Sequence, residues 1–292
     1  MKMILGLTVK AEYHWGYWIR TPFSSKLQAT LPLPPPTTLL GALASYLARE
    51  GLLKDPSGKK ISGEILSLEI KMKRRSRIDF RSPASILDDA LITASAALSK
   101  DGKAFIMDDL NRYVTLLFQQ RIPERVYEGR MPRRYLPKYR SGAIYCGKVY
   151  YPSGLIDVAY LFDYSKLEER IDGDPIPVLV EAGWNISRIG SKESLVTVRR
   201  VSYVELDESE VGRGKVRTRF YFPSRAGSVL EGESYTEVFW RRGWGRYDQP
   251  VFEEYLIPGS RNPIKSSEIV VDAEAYAKLD EDVTIVFPPP RG

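Results

Sequence analysis

One histidine and one cysteine, His14 and Cys146, bound the chemistry open to this 292-residue chain. A Cys/His zinc set needs four such ligands, and two residues cannot supply them. A Ser-His-Asp arrangement would have to use His14, and no G-x-S-x-G turn accompanies it. The PSGKKIS stretch around Lys59 lacks phosphate-loop spacing, and the Gly212 and Gly214 pair is not a dinucleotide fingerprint. No cofactor and no metal are expected. His14, between Tyr13 and Trp15, is the only candidate for moving a proton, because imidazole titrates near pH ~6.5. The competing reading is stacking or packing at the end of an aromatic strand. Asp88 with Asp89 and Asp108 with Asp109 suggest paired carboxylates. Both pairs, however, fall in first turns of predicted helices, where acids favour the positive end of the dipole, so a structural role is expected.

Anion binding is better supplied. The turn RIGSKES, Arg188 to Ser194, combines two cations and two hydroxyls with a glycine between a predicted helix and a predicted strand. Arg188, Gly190, Ser191, Lys192 and Ser194 are the expected phosphate-binding residues, with backbone N–H groups around Gly190 completing the cradle; the alternative is a solvated turn. A second basic segment runs from Arg121 to Tyr150, where eight cations meet only Glu124 and Glu128, an excess equal to the +6 of the whole chain. Its core is Arg130, Arg133, Arg134, Tyr135, Lys138, Tyr139 and Arg140. Arginines can follow a single-stranded backbone while tyrosines stack on bases, whereas an exposed basic loop is the plainer reading. Lys71, Lys73, Arg74, Arg75, Arg77 and Arg81 either flank the same RNA or solubilise a strand end, and Trp240 to Arg246, WRRGWGR, offers a second contact surface.

These residues need a scaffold. Met3 to Trp18 reads as an opening strand, followed by a proline-rich loop and a helix from Leu39 to Arg49 capped by Thr37 or Thr38. Glu64 to Met72 alternates as a strand, while Ser85 to Leu98 and Met107 to Gln120 carry helical spacing and read as an inserted helical pair. Leu155 to Phe162 predicts a strand, Ser165 to Arg170 and Val178 to Ile186 helices, and Leu195 to Leu206 another strand. Beyond Asp207 the signals are all β: Val216 to Phe222, Tyr235 to Trp240, Val251 to Ile257, Ile269 to Val271 and Val283 to Phe287.

Apolar residues make up 43% of the chain, enough for a buried core, and no stretch reaches the roughly 18 apolar residues of a membrane span. With no signal peptide and a single cysteine, a cytoplasmic location without membrane contact is expected. Three asparagines and four glutamines against 27% charged residues suggest a heat-loving source.

Three blocks together carry a family resemblance: the aromatic opening strand, LPLPPPTTLLGALASYLAR at Leu31 to Arg49, and GWNISRIGSKESLVTVRR at Gly183 to Arg200. They resemble the Cas-five family of CRISPR RNA-binding proteins, and the RIGSKES form looks most like its type I-A Cascade branch. The resemblance covers about the first two hundred residues. It implies an α+β chain with an RRM-like, ferredoxin-type core over 1–206, a helical and basic insertion or thumb at about 84–150, and a β-rich part over 207–292. It also implies a non-catalytic subunit that caps the 5′ handle of the crRNA. The implied partners are the Cas-seven backbone subunit and the Cascade large subunit, with target DNA as a further contact. One family branch cuts precursor RNA without metal, so an endoribonuclease centred on His14 is the alternative; a general single-strand-binding or protein-interaction module is the second.

Overall fold

The computed structural model describes residues 3–21, 27–61, 66–72, 75–114, 141–242 and 251–289. At its centre lies a four-stranded antiparallel sheet in the spatial order Val196–Asp207, Met3–Tyr13, Leu155–Asp163, Leu91–Leu98. The opening strand is central, and from Leu7 to Tyr13 buried residues alternate with more exposed ones. Leu5, Leu7, Val9, Ala11 and Tyr13 point to one face and are almost wholly buried there against the two long helices. Burial of each large apolar side chain is worth about 1.5–3 kcal/mol, so this one stripe is enough to set the strand's register.

The first helix, Pro36–Arg49, buries Leu39, Leu40, Leu43, Ala44, Leu47 and Ala48 on the sheet. Neither Thr37 nor Thr38 caps it: Pro35 stands at the N-cap and Pro36 at the first helical position, where its fixed φ suits the helix and its missing N–H costs nothing. Thr37 instead donates its hydroxyl to the carbonyl of Trp240, 3.1 Å away in the C-terminal part. The helix Pro175–Trp184 is capped by Asp174, whose carboxylate accepts from the Ile176 N–H, and it packs beside the first helix. A short helix, Tyr164–Arg170, precedes it.

The predicted helical pair is not there. Ser85 to Leu98 splits into a one-turn helix, Ala84–Leu87, and the strand Leu91–Leu98, which belongs to the central sheet. Met107 to Gln120 begins as the strand Phe105–Val114, paired with Ser141–Tyr150, and 115–120 lie outside the described residues. The physical reason lies in what covers each strand. Ala94, Ala96 and Leu98 face the helices while Ala97 and Ile92 face the C-terminal β part, so both faces are covered and the alternation of buried with exposed positions is lost.

That C-terminal part is a set of antiparallel strands with Ile269–Asp280 at its centre, flanked by Gly212–Thr218 and Gly227–Glu231, and with a separate Ser234–Arg242 and Val251–Pro258 pair. Its Phe220, Ala275, Ala277, Ile285 and Phe287 cluster with Ile4, Ala159, Leu161 and Leu206 from the other face of the central sheet. Gly6 permits the approach: a Cβ there would stand 2.6 Å from Leu279 Cδ2 and 2.9 Å from Val204 Cγ1. Val216 to Phe222 is broken into Gly212–Thr218 and Phe222–Pro223, freeing Arg219 and Tyr221 to point inward, and the predicted Ile269 to Val271 strand extends to Asp280.

Candidate nucleic-acid interface

The aromatic end of the opening strand exists to hold the glycine turn. Tyr13 donates its hydroxyl to the Ile189 carbonyl at 3.1 Å, the His14 N–H reaches the Leu195 carbonyl at 3.2 Å, and Trp15 Nε1 reaches the Glu193 carbonyl at 2.6 Å. From the turn, the Ser191 N–H answers to the Trp18 carbonyl at 3.0 Å, and the Ser194 hydroxyl accepts from the Trp18 N–H at 3.1 Å. Burial, helped by the neighbouring Tyr160, holds the Tyr13 phenol well above its ordinary pKa, so it remains a donor at any physiological pH. Gly190 has φ +124°, and a Cβ there would lie 2.8 Å from Ser194 Oγ. A side chain is excluded by both conformation and space.

The predicted phosphate residues therefore divide. Ser194 is completely buried, Ser191 shares a 3.1 Å hydrogen bond with it, and the Ser191 N–H is already used, so these groups build the turn. Arg188 and Lys192 are exposed and make no ion pair among the described residues. Arg188 faces a groove of about 250 Å³ between the turn and the first helix, lined by Thr38, Gly41, Ser45 and Arg49 on the helix side and by Asn185, Ser187 and Gly190 on the other. Two guanidinium groups with hydroxyls between them suit phosphate oxygens. Sequence reasoning missed Arg49, Thr38 and Ser45. Their signal was present as a polar stripe at positions 38, 41, 45 and 49, on the opposite side of the helix from its leucines.

The other predicted clusters contribute less. Arg130, Arg133, Arg134, Tyr135, Lys138, Tyr139 and Arg140 lie outside the described residues. Lys71 and Arg75 to Arg81 belong to a hairpin, Leu66–Met72 with Arg75–Arg81, while Lys73 and Arg74 lie outside the described residues. The WRRGWGR stretch is described only through Arg242, at the end of the Ser234–Arg242 strand. The aspartates occupy no helix N-termini of the predicted kind. Asp89 pairs with Arg170 at 2.6 Å, and Asp109 pairs with Lys148 at 2.6 Å across the Phe105–Val114 hairpin. The Lys148 ammonium holds the Asp109 carboxyl below its usual range, and Asp109 in turn raises Lys148. His14 is exposed, with Nε2 2.8 Å from Thr197 Oγ1. Among the described residues no three His, Cys, Asp or Glu side chains converge as a metal site, and no helix is long and apolar enough to cross a membrane.

No family model matches the chain. It is, however, 32% identical over 270 residues to the CRISPR-associated protein Cas5 3 of Saccharolobus solfataricus, an alignment covering 91% of this chain and 92% of that protein. It belongs to the Cas5 family. A second relative from the same organism, the CRISPR system aCascade subunit Cas5 1, is 33% identical over the same share of both chains. This Cas5 chain also shares its fold with a CRISPR protein from Archaeoglobus fulgidus, whose crystal structure matches with a TM-score of 0.54 at 18% identity over 97% of this chain and 99% of that one. The resemblance read from the sequence covered about two hundred residues; the relatives extend it across the C-terminal β part of this Cas5 chain.

Proposed function

We propose that this chain is a non-catalytic subunit of a type I CRISPR surveillance complex, of the type I-A Cascade branch, that grips the 5′ handle of the crRNA. Its partners in that reading are the Cas-seven backbone subunit and the Cascade large subunit, with target DNA as a further contact. The reading takes the strand, helix, strand, strand, helix, strand order around the central sheet as an RRM-like, ferredoxin-type core. An RRM lays RNA across the open face of its sheet. Here that face is buried under Phe220, Ala275, Ala277, Ile285 and Phe287, which leaves the rim. The observation that carries the proposal is at that rim: Arg188 and Arg49 border an open groove, and Lys192 is a further exposed cation of the same turn.

The test is RNA affinity of the full chain carrying Arg188→Ala and Lys192→Ala together. Both side chains are solvent-screened, so the expected loss is roughly two- to thirtyfold. The slope of log affinity against log salt should flatten by about 0.7 for each phosphate contact removed. Gly41→Glu provides a second arm, because a Cβ at Gly41 meets nothing within 4 Å and the new carboxylate would stand in the groove. Unchanged affinity in both variants, with the fold intact, sinks the site.

A further inference from the structure

A second cavity, of about 460 Å³, lies on the far side of the glycine turn, between Trp15, the Phe105–Val114 and Ser141–Tyr150 hairpin, and Glu193. Its walls are apolar and open: Met107 is 52% exposed and Tyr150 46%, with the Trp15 ring opposite. Its floor is a fixed charge group. Lys148 Nζ sits 2.6 Å from Asp109 Oδ2 and 3.8 Å from Glu193 Oε2, and 5.7 Å from the centroid of the Trp15 ring. The cross-strand pairs Met107 with Lys148 and Phe105 with Tyr150 place these side chains on one face of the hairpin. Large apolar side chains normally leave water, and three of them around a concave site of this size make a ligand pocket.

We propose that this cavity receives one unstacked nucleobase of the bound RNA, and that the base carries an exocyclic amino group. The inference rests on the RNA-holding reading above. Two carboxylates against one ammonium make the floor unsuitable for phosphate, so the ligand's backbone stays outside. A flat ring fits the aromatic walls, since every base offers a stacking face. Fixed acceptors on Asp109 and Glu193 beside a donor on Lys148 match the edge of adenine, cytosine or guanine, whose amino groups donate to carboxylates. Uracil has no amino donor and is the poorest fit. Glu193 follows Lys192 directly in the chain, so the residue that grips a phosphate outside the turn adjoins one that lines the base cavity.

The experiment walks a single abasic position along a mixed-sequence single-stranded RNA and measures its affinity for the full-length parent, Trp15→Ala and Tyr150→Ala. In the parent, one position should cost roughly tenfold when its base is removed, and a few-fold when it is changed to uracil. In Tyr150→Ala that position should become indistinguishable from its neighbours. Trp15 also holds the Glu193 carbonyl, so its replacement could loosen the turn; Tyr150, exposed at a strand end, keeps the test independent of that. If intact RNA binds but no position stands out, or if the sensitive position persists unchanged in both variants, the cavity belongs to a protein side chain and the proposal is overturned. If the parent binds no RNA at all, the RNA-holding reading itself fails, and the inference with it.

Discussion

Arg219 reaches from the C-terminal β part into the central sheet and pairs with Asp157, Nη2 to Oδ2 2.5 Å, both side chains buried. Its other terminal nitrogen donates to the Leu98 carbonyl at 2.7 Å, so one guanidinium ties two adjacent strands of the sheet to the part that covers them. Around it, Ser95 Oγ donates to the Tyr221 carbonyl at 2.6 Å and Tyr221 donates its hydroxyl to the Pro34 carbonyl at 2.7 Å. The proline-rich loop, the sheet and the β part are thereby fixed to one another, and the groove beside the first helix inherits that rigidity.

Removing one partner of this pair leaves an uncompensated buried charge. Asp157→Asn leaves the buried Arg219 without a carboxylate and should destabilise the protein by about 3–5 kcal/mol, and Arg219→Met by somewhat less, because Lys10, 3.7 Å from Asp157, remains to compensate it. The double replacement Arg219→Met with Asp157→Leu should recover most of the loss. Denaturant or thermal unfolding of the three variants checks it; strictly additive losses would show that the pair does not act as a unit.

The two glycines that flank the groove beside Arg188 should respond in opposite directions. Gly190→Val places a β-branched side chain at φ +124° against Ser194, which should cost about 1–3 kcal/mol of backbone strain and displace the turn. Gly41→Ala sits in open space within the first helix and should stabilise by about 0.5–1 kcal/mol. Melting temperatures of the two variants settle the comparison.

Glu237 gives a pH dependence with a defined sign. Burial raises its carboxyl above the ordinary 4.5, outweighing the opposing pull of Arg261 at 3.2 Å. A raised acid is neutral in both folded and unfolded chains at low pH, and is charged at a cost in the folded chain above its folded pKa. Stability contributed by its neutral form is therefore lost as pH rises from the unfolded value through the folded one. Glu237→Gln should match the parent near pH 4 and melt above it at pH 7; a gap that narrows with rising pH would refute the assignment.

Repeat RNA incubated with the full chain and a chelator should stay intact, and His14→Ala should bind it as the parent does. The His14 ring is exposed and its Nε2 is 2.8 Å from the Thr197 hydroxyl. Gel analysis that reveals discrete cuts, lost in His14→Ala, would make the chain an endoribonuclease.

Elements with one polar face could be read directly. The opening strand shows its period of two because its odd positions meet the helices while Thr8, Lys10 and Glu12 alternate with them, and the first helix shows its leucine stripe because its other side is polar. Leu91–Leu98 could not be read that way, since Ala94 and Ala96 on one face and Ala97 on the other are all covered, and small residues on both faces imitate a helix. Phe105–Val114 failed for the reverse reason: Phe105, Ile106, Met107 and Leu110 are all exposed, so apolarity no longer reports burial.

The sequence alone determined the family, the position of the glycine turn and the outward cations Arg188 and Lys192, because each depends on residues close together in the chain. It could not assign the division of labour within the turn. Ser191 and Ser194 carry the same hydroxyl that a phosphate site would use, and only the arrival of Trp18 from 173 and 176 residues upstream turns them inward. The same holds for Arg49 beside Arg188 and for Lys148 beside Trp15 and Glu193. Local periodicity encodes which face of an element is buried, whereas which faces meet is decided by packing between segments far apart in the chain.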